Sequence, residues 1–351
     1  MKTPGFLIFV TGTTALAGFL YGYDTGIISS ALLSISSQFH LEHTMQEVVA
    51  SAILVGAICG ALTCGWAFEK IGRRKMILIL GLIYILGACF AAVAPNPILL
   101  ILARIFLGFA VGGSSQTVPV YVAEIAPAEG RGHFVTTFNV AIGLGIVAAD
   151  IIGSSLHHVS WRWMIGAAAV PATIFFVCAL KLPESPRWLV HEDQVDDATQ
   201  ALSKVRPKDT DLDGEIGEMQ DIVKREKEAP VKGWKGLKQD WVRPAVIAAL
   251  GIAAFTQLTG IEMMIYYAPT LLTGLGYSHQ GALLSSLGLG IVYAVMTATG
   301  LMIVERVGRR RLTLWMLPGA AISLLLLGVI LVFKVAAVSY THLTLPTNRE
   351  V

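Results

Sequence analysis

The chain has 351 residues, 54% of them apolar and only 14% charged, with a net charge of +2 and a mean hydropathy of +0.66. A soluble domain carries about 25% charged residues, so this composition excludes a disordered chain, a disulfide-rich secreted module and an ordinary cytosolic enzyme. The small net charge gives no case for a nucleic-acid partner.

A run of 18 or more apolar residues is long enough to cross a hydrocarbon core of about 30 Å. Six such runs come first: Phe6–Ala31, Val48–Phe68, Met76–Ala94, Ile98–Val122, Phe134–Leu156 and Trp163–Leu182. Lys2 before the first run has the look of a signal peptide, but the run is too long, has no small-x-small cleavage site and carries Asp24. A charged insert follows. Between Pro183 and Arg243 stand 25 of the chain's 50 Asp, Glu, Lys and Arg residues. Its apolar residues recur at helical spacing (Val195, Ala198, Leu202, Val205, then Ile216, Met219, Ile222), which predicts two or three short amphipathic helices and no catalytic domain. Three more apolar runs come after it: Pro244–Leu272, Gly281–Val304 and Leu312–Phe333. With the N-terminus inside, 22 of the 26 basic residues fall on the inner face, so the positive-inside rule predicts a cytoplasmic N-terminus. The expected partners on this reading begin with the lipid bilayer.

The four cysteines (Cys59, Cys64, Cys89, Cys178) sit singly in apolar stretches and read as buried small hydrophobes. His40 and His43, and the pair His157-His158, are too few and too loosely spaced for a metal site and are assigned to solvent. No cofactor and no metal is expected.

The sequence also repeats itself. Glu69-Lys70-Ile71-Gly72-Arg73-Arg74 recurs as Glu305-Arg306-Val307-Gly308-Arg309-Arg310, and Thr25-Gly26-Ile27 recurs as Thr259-Gly260-Ile261, at nearly one offset. Parallel six-helix repeats around a midplane site are a transporter architecture. The duplication calls for six spans in the second half, and three are legible. Residues 334–351 are polar and unlike a membrane segment. The expectation is a fragment with a tail from a frame error, a junction or an artefact. The organisation expected is therefore an all-α membrane protein: a six-helix bundle over 1–182, a cytoplasmic linker over 183–243, the first three helices of a second bundle over 244–333, and an anomalous tail over 334–351.

Several motifs then stand in order: Gly22-Tyr23-Asp24-Thr25-Gly26; Gly65 through Lys75; Arg104 with Gly108 and Gly112; Pro119 through Pro127; Arg131-Gly132; Trp161-Arg162-Trp163-Met164; Pro183-Glu184-Ser185-Pro186-Arg187-Trp188-Leu189; and Gln257 through Gly260 with Tyr266-Tyr267-Ala268-Pro269. Over residues 1–333 this set resembles the sugar porter family of the major facilitator superfamily, its first half being most similar to bacterial proton-linked members. The resemblance implies alternating-access transport of a monosaccharide or polyol at the plasma membrane, no enzyme activity, proton symport, and a complete protein that is monomeric. The alternatives are a facilitative uniporter and a non-transporting sugar sensor.

Asp24 and Arg104 are the sharpest pair. An ionisable residue inside a span costs several kcal/mol and is usually paired, and a helical rise of about 1.5 Å per residue puts the two within about one turn in depth. A guanidinium favours the carboxylate and burial favours the neutral acid, so the pair is a candidate proton switch; the family associates the matching Asp with proton coupling. The resemblance makes Gln257 a sugar-contact amide and puts Thr256, Asn139 and Glu262 at sugar-contact positions where relatives carry other side chains. Tyr266 reads equally as a contact or as core, and Tyr267 likewise. The resemblance further implies a cytoplasmic gate of salt bridges from Glu69, Arg73, Arg74, Glu124, Arg131, Glu184 and Arg187, with Glu305 and Arg309 as its second-half copy. Asp150 has no family role and reads as a second polar lining residue or, preferably, as an acid at the outer interface. The glycines at 18, 22 and 26, and at 56 and 60, are expected to permit close helix packing.

Overall fold

In the computed structural model, residues 5–127, 130–156, 159–207, 210–228, 239–274 and 276–343 are described. They form fourteen α-helices. The first five are α1 (Gly5–Phe39), α2 (His43–Ile71), α3 (Arg73–Val93), α4 (Pro97–Ile125) and α5 (Arg131–Ser155). The sixth apolar run is split into α6 (Trp161–Gly166) and α7 (Ala169–Ala179). Pro171 accounts for the split: its ring cannot sit beside the carbonyl of Ala167, four residues back, and it lacks an N–H for that turn.

The charged insert folds into α8 (Pro186–His191), α9 (Val195–Val205) and α10 (Leu212–Glu228). These helices pack against the bundle. Ala198, Ala201, Leu202, Val205, Ile216 and Val223 are buried in one cluster with Leu7, Val10, Phe68, Ile125 and Leu182. The phase of α10 differs from the expected one by a residue, since Ile222 is exposed and Val223 points inward.

The seventh run is also two helices, α11 (Arg243–Leu258) and α12 (Ile261–Gly274), followed by α13 (His279–Val307) and α14 (Arg309–Leu343). Eight of the nine expected spans are therefore long and apolar enough to cross a membrane, and the seventh is broken into two shorter pieces. Helix α14 continues ten residues past the expected end of the ninth span at Phe333. The side chains of 334–343 and all of 344–351 lie outside the described residues.

Glycine decides how the first bundle packs. A Cβ on Gly22 of α1 would collide with the backbone of Ile142 in α5, and one on Gly18 with the Phe138 carbonyl. Helices α2 and α4 interlock the same way: Gly56 and Gly60 face the backbone at Ile105 and Phe109, while Gly108 and Gly112 face that at Ile53 and Ala57. Small residues let backbones touch, which is how helices gain packing energy where lipid removes the hydrophobic drive between them. Outward faces are apolar, as lipid requires: Leu62, Trp66, Phe90 and Val93 are all more than half exposed. Cys59 and Cys89 belong to these exposed faces and correct the expectation of buried thiols; Cys64 is buried and Cys178 half-buried. They sit on helix faces that the rest of the bundle leaves uncovered.

The two copies of the longer motif share one backbone turn. Gly72, between α2 and α3, has φ +96° and its N–H donates to Phe68 O at 3.1 Å; Gly308, between α13 and α14, has φ +87° and donates to Val304 O at 3.0 Å. The second repeated motif diverges. Thr25-Gly26-Ile27 lies inside the continuous helix α1, whereas Thr259-Gly260-Ile261 is the break between α11 and α12, with Gly260 at φ +72°.

Candidate functional site

Asp24 of α1 and Arg104 of α4 meet inside the first bundle. Their closest approach is 3.8 Å, from Arg104 Nη2 to Asp24 Oδ2, with side chains 1% and 5% exposed. That distance is too long for a hydrogen bond. Arg104 Nη2 instead donates to Ala50 O at 3.3 Å, while Asp24 Oδ2 and Arg104 Nε have no hydrogen-bond partner. Two unit charges about 4 Å apart attract by about 4 kcal/mol at an effective dielectric of about 20. The pair is thus held by charge and leaves one carboxylate oxygen free to take a proton. Around it, Tyr23 donates to Met164 O at 2.7 Å and Tyr84 shares a 3.0 Å hydrogen bond with Ser114. These neighbours pack the pair into the wall of the bundle.

At the end of the bundle where α1 starts, a second constellation ties the start of α3 to α4 and to the linker. Arg73 grips Glu124 with two hydrogen bonds, Nε to Oε2 at 3.0 Å and Nη2 to Oε1 at 2.9 Å, and Glu124 Oε2 also accepts from Ser185 Oγ at 2.6 Å. Glu184 Oε1 accepts the backbone N–H groups of Arg74 at 2.9 Å and Ser185 at 3.0 Å, and Arg74 Nη2 donates to Leu180 O at 2.7 Å. The other Glu184 oxygen lies where a side chain on Gly72 would stand, so glycine is needed there for both φ and space. Trp188 Nε1 donates to the Glu69 carbonyl at 2.8 Å, so Glu69 takes part through its backbone. Arg187 reaches Glu226 only at 3.9 Å with both side chains exposed. Arg131 lines the adjoining cavity.

Two members of this network escaped the sequence. Ser185 caps α8, accepting the N–H of Trp188 at 3.3 Å just ahead of Pro186, and it is the shared donor to Glu124. The Ser-Pro signal for a helix start was there to be read. Arg206 was hidden among the linker's charges: it is 7% exposed, holds Glu215 with two bonds at 2.6 and 2.9 Å, and donates to Ile125 O at 2.6 Å. It therefore fastens α10 to the end of α4.

A cavity of about 1060 Å³ opens at this same end. Its walls include Leu7 and Thr11 of α1, Arg131 and Phe134 of α5, Met219 of α10 and Leu301 of α13. At the opposite end the halves are closed. Tyr266 of α12 is 5% exposed and packs with Ile28, Leu32, Val49 and Trp161. Midway along the spans, Gly143 of α5 stands against the backbone of Ala294 in α13.

The candidate sugar contacts are more scattered. Asn139 is exposed on α5, one turn before Gly143 on the face turned to α13. Thr256 and Gln257 are exposed on α11, which buries none of its residues, and Thr256 Oγ1 donates to Ile252 O at 2.7 Å. Among the described hydrogen bonds none joins these groups. The side chains of Glu262, Glu305 and Arg309, and both His157 and His158, lie outside the described residues. Asp150 departs from the preferred of its two expected places: it is 4% exposed and turned to α13, not at the outer interface. The stripe Asn139, Gly143, Ile146 and Asp150 shares one helix face, which carries it between the halves.

The family model described as "Sugar (and other) transporter" matches residues 10–344. The chain belongs to this sugar transporter family. It is 38% identical over 338 residues to the "Probable metabolite transport protein CsbC" of Bacillus subtilis, covering 95% of this chain and 72% of that one. It is also 38% identical over 318 residues to the "D-xylose transporter" of Levilactobacillus brevis, covering 90% and 69%. In fold it is similar to the partially occluded inward-open xylose transporter XylE of E. coli, with TM-score 0.74, 24% identity, and 88% and 75% of the two chains covered. Members of this sugar transporter family are membrane transporters, not enzymes, so the site is to be read as a path and its gates.

Proposed function

We propose that this protein imports a monosaccharide or polyol together with protons by alternating access, with its N-terminus in the cytoplasm. The observation that carries the coupling is the Asp24–Arg104 pair: two buried charges at 3.8 Å, with Asp24 Oδ2 unpartnered. Protonating Asp24 removes the attraction that holds Arg104, and the freed guanidinium lets α1 and α4 shift against each other. Reprotonation on one side and release on the other ties each cycle to a proton.

The cavity at the linker end and the closed opposite end support an inward-open state. In that state the Arg73–Glu124 and Glu184–Arg74 contacts dock the linker helices on the first bundle. On this reading Glu69, Arg131 and Arg187, with Glu305 and Arg309 from the repeat, complete a cytoplasmic gate when the inner ends close. Asn139, Thr256, Gln257, Glu262 and Tyr266 are the proposed sugar contacts. A sugar needs amides and hydroxyls for its OH groups and an aromatic face for its C–H surface, and this set supplies both. Relatives named as D-xylose, glucose and inositol transporters support a monosaccharide or polyol substrate.

The test is uptake of labelled pentoses, hexoses and inositol into proteoliposomes under an inward proton gradient. Accumulation above the outside concentration that a protonophore abolishes is the expected result. Equilibration without accumulation would replace symport with uniport.

A further inference from the structure

Resting on that reading, the wall between the two halves carries a second acid that the Asp24 mechanism does not use. Asp150 lies five residues before the end of α5, in the outer third of the span. Its carboxylate is seated over Gly290 of α13: a Cβ built there would stand 2.5 Å from Asp150 Oδ2 and 3.2 Å from Ile146 Cγ2. The absence of a side chain at Gly290 is what makes the seat. On the helices packed against α5, the titratable and charged groups near this interface are Tyr23 and Asp24 of α1, Arg104 of α4 and Tyr293 of α13. Among the described residues none forms an ion pair or a hydrogen bond with Asp150.

A carboxylate is a pure acceptor when ionised. Closing α5 onto α13 over an unpaired carboxylate charge strips it of water without compensation, which disfavours the closed contact. Closing over the protonated acid avoids that cost. When the outer ends part, the same carboxyl faces the outer vestibule, on the same α5 stripe as Asn139.

We propose that Asp150 is a second proton-binding site, on the wall of the transport path. A carboxylate oxygen takes a proton from outer water while the outer ends are apart, α5 closes on α13 over the neutral acid, and the proton returns to water when the contact reopens. Closure of the outer side is thereby tied to protonation at a group distinct from Asp24.

The experiment is sugar counterflow in proteoliposomes, which needs alternating access but no proton gradient. Counterflow by the unaltered protein tests the transporter reading itself; its absence would sink that reading before Asp150 is at issue. Given counterflow, Asp24→Asn isolates the second site. In that background the rate is expected to fall about fivefold or more from about pH 6 to about pH 9, as a single remaining acid loses its proton. Adding Asp150→Asn, or Asp150→Ser should the first variant fold poorly, is expected to flatten the profile. A flat profile already in Asp24→Asn, or an alkaline fall that persists in both double variants, would overturn the proposal.

Discussion

Arg73 and Glu124 stand 51 residues apart in sequence and close a two-bond clamp, at 2.9 and 3.0 Å, between the start of α3 and the end of α4. Their side chains are only 13% and 8% exposed, and Ser185 adds a third bond to the same carboxylate. Charge-assisted bonds of this kind are worth about 1.5–3 kcal/mol, well above an exposed pair. A double-mutant cycle on Arg73→Ala and Glu124→Ala, read by thermal unfolding in detergent, is expected to give a coupling of about 1–3 kcal/mol. Strict additivity of the two losses would show that the clamp contributes nothing.

Arg206 makes a different kind of contact, since it joins the linker to the membrane bundle through the Ile125 carbonyl and Glu215. Arg206→Met keeps the stem and leaves Glu215 without its partner. Glu215 is 27% exposed, so water recovers part of the about 3–5 kcal/mol that breaking a fully buried pair costs, and the remaining loss falls on the docking of α10. Limited proteolysis is expected to cut between α9 and α11 much faster in the variant. Equal cutting rates would mean that the apolar face of α9 and α10 alone holds the linker.

Glycine substitutions separate the two reasons for which the chain uses glycine. Gly112→Leu forces a side chain into the Ala57 backbone and should split α2 from α4, with loss of the folded protein on size exclusion. Gly260→Ala meets nothing within 4 Å and is strained only through its φ of +72°. It should lower stability by only about 1–2 kcal/mol, read as a small fall in melting temperature. A severe loss in the second variant would mean that the α11–α12 break is packed more tightly than its surroundings indicate.

Much of the architecture was legible because the membrane makes length and apolarity decisive. The first five spans end within a few residues of the expected borders, except that α1 runs on to Phe39, and the rise per residue alone puts Asp24 and Arg104 within about one turn in depth. Breaks inside spans were not legible. Thr25-Gly26-Ile27 and Thr259-Gly260-Ile261 are the same local sequence, yet Gly26 is pinned against Ala149 and Ile146 of α5 while Gly260 has no neighbour to hold it helical. Tertiary contact decides between the two. The two readings of Asp150 stay open in the sequence for a related reason: proximity to the end of an apolar run suggests water, and only the register of α5 against Gly290 reveals that it faces α13. Arg206 was lost because one paired cation among many linker charges has no local spacing that marks it.

The direct test of the coupling claim is sugar-driven proton uptake in proteoliposomes carrying Asp24→Asn, recorded with a pH-sensitive dye beside the unaltered protein. The account expects the sugar to enter by counterflow as before while the alkalinisation outside disappears. Proton uptake of unchanged size in the variant would contradict it, and would leave the Asp24–Arg104 pair as a structural tie between α1 and α4.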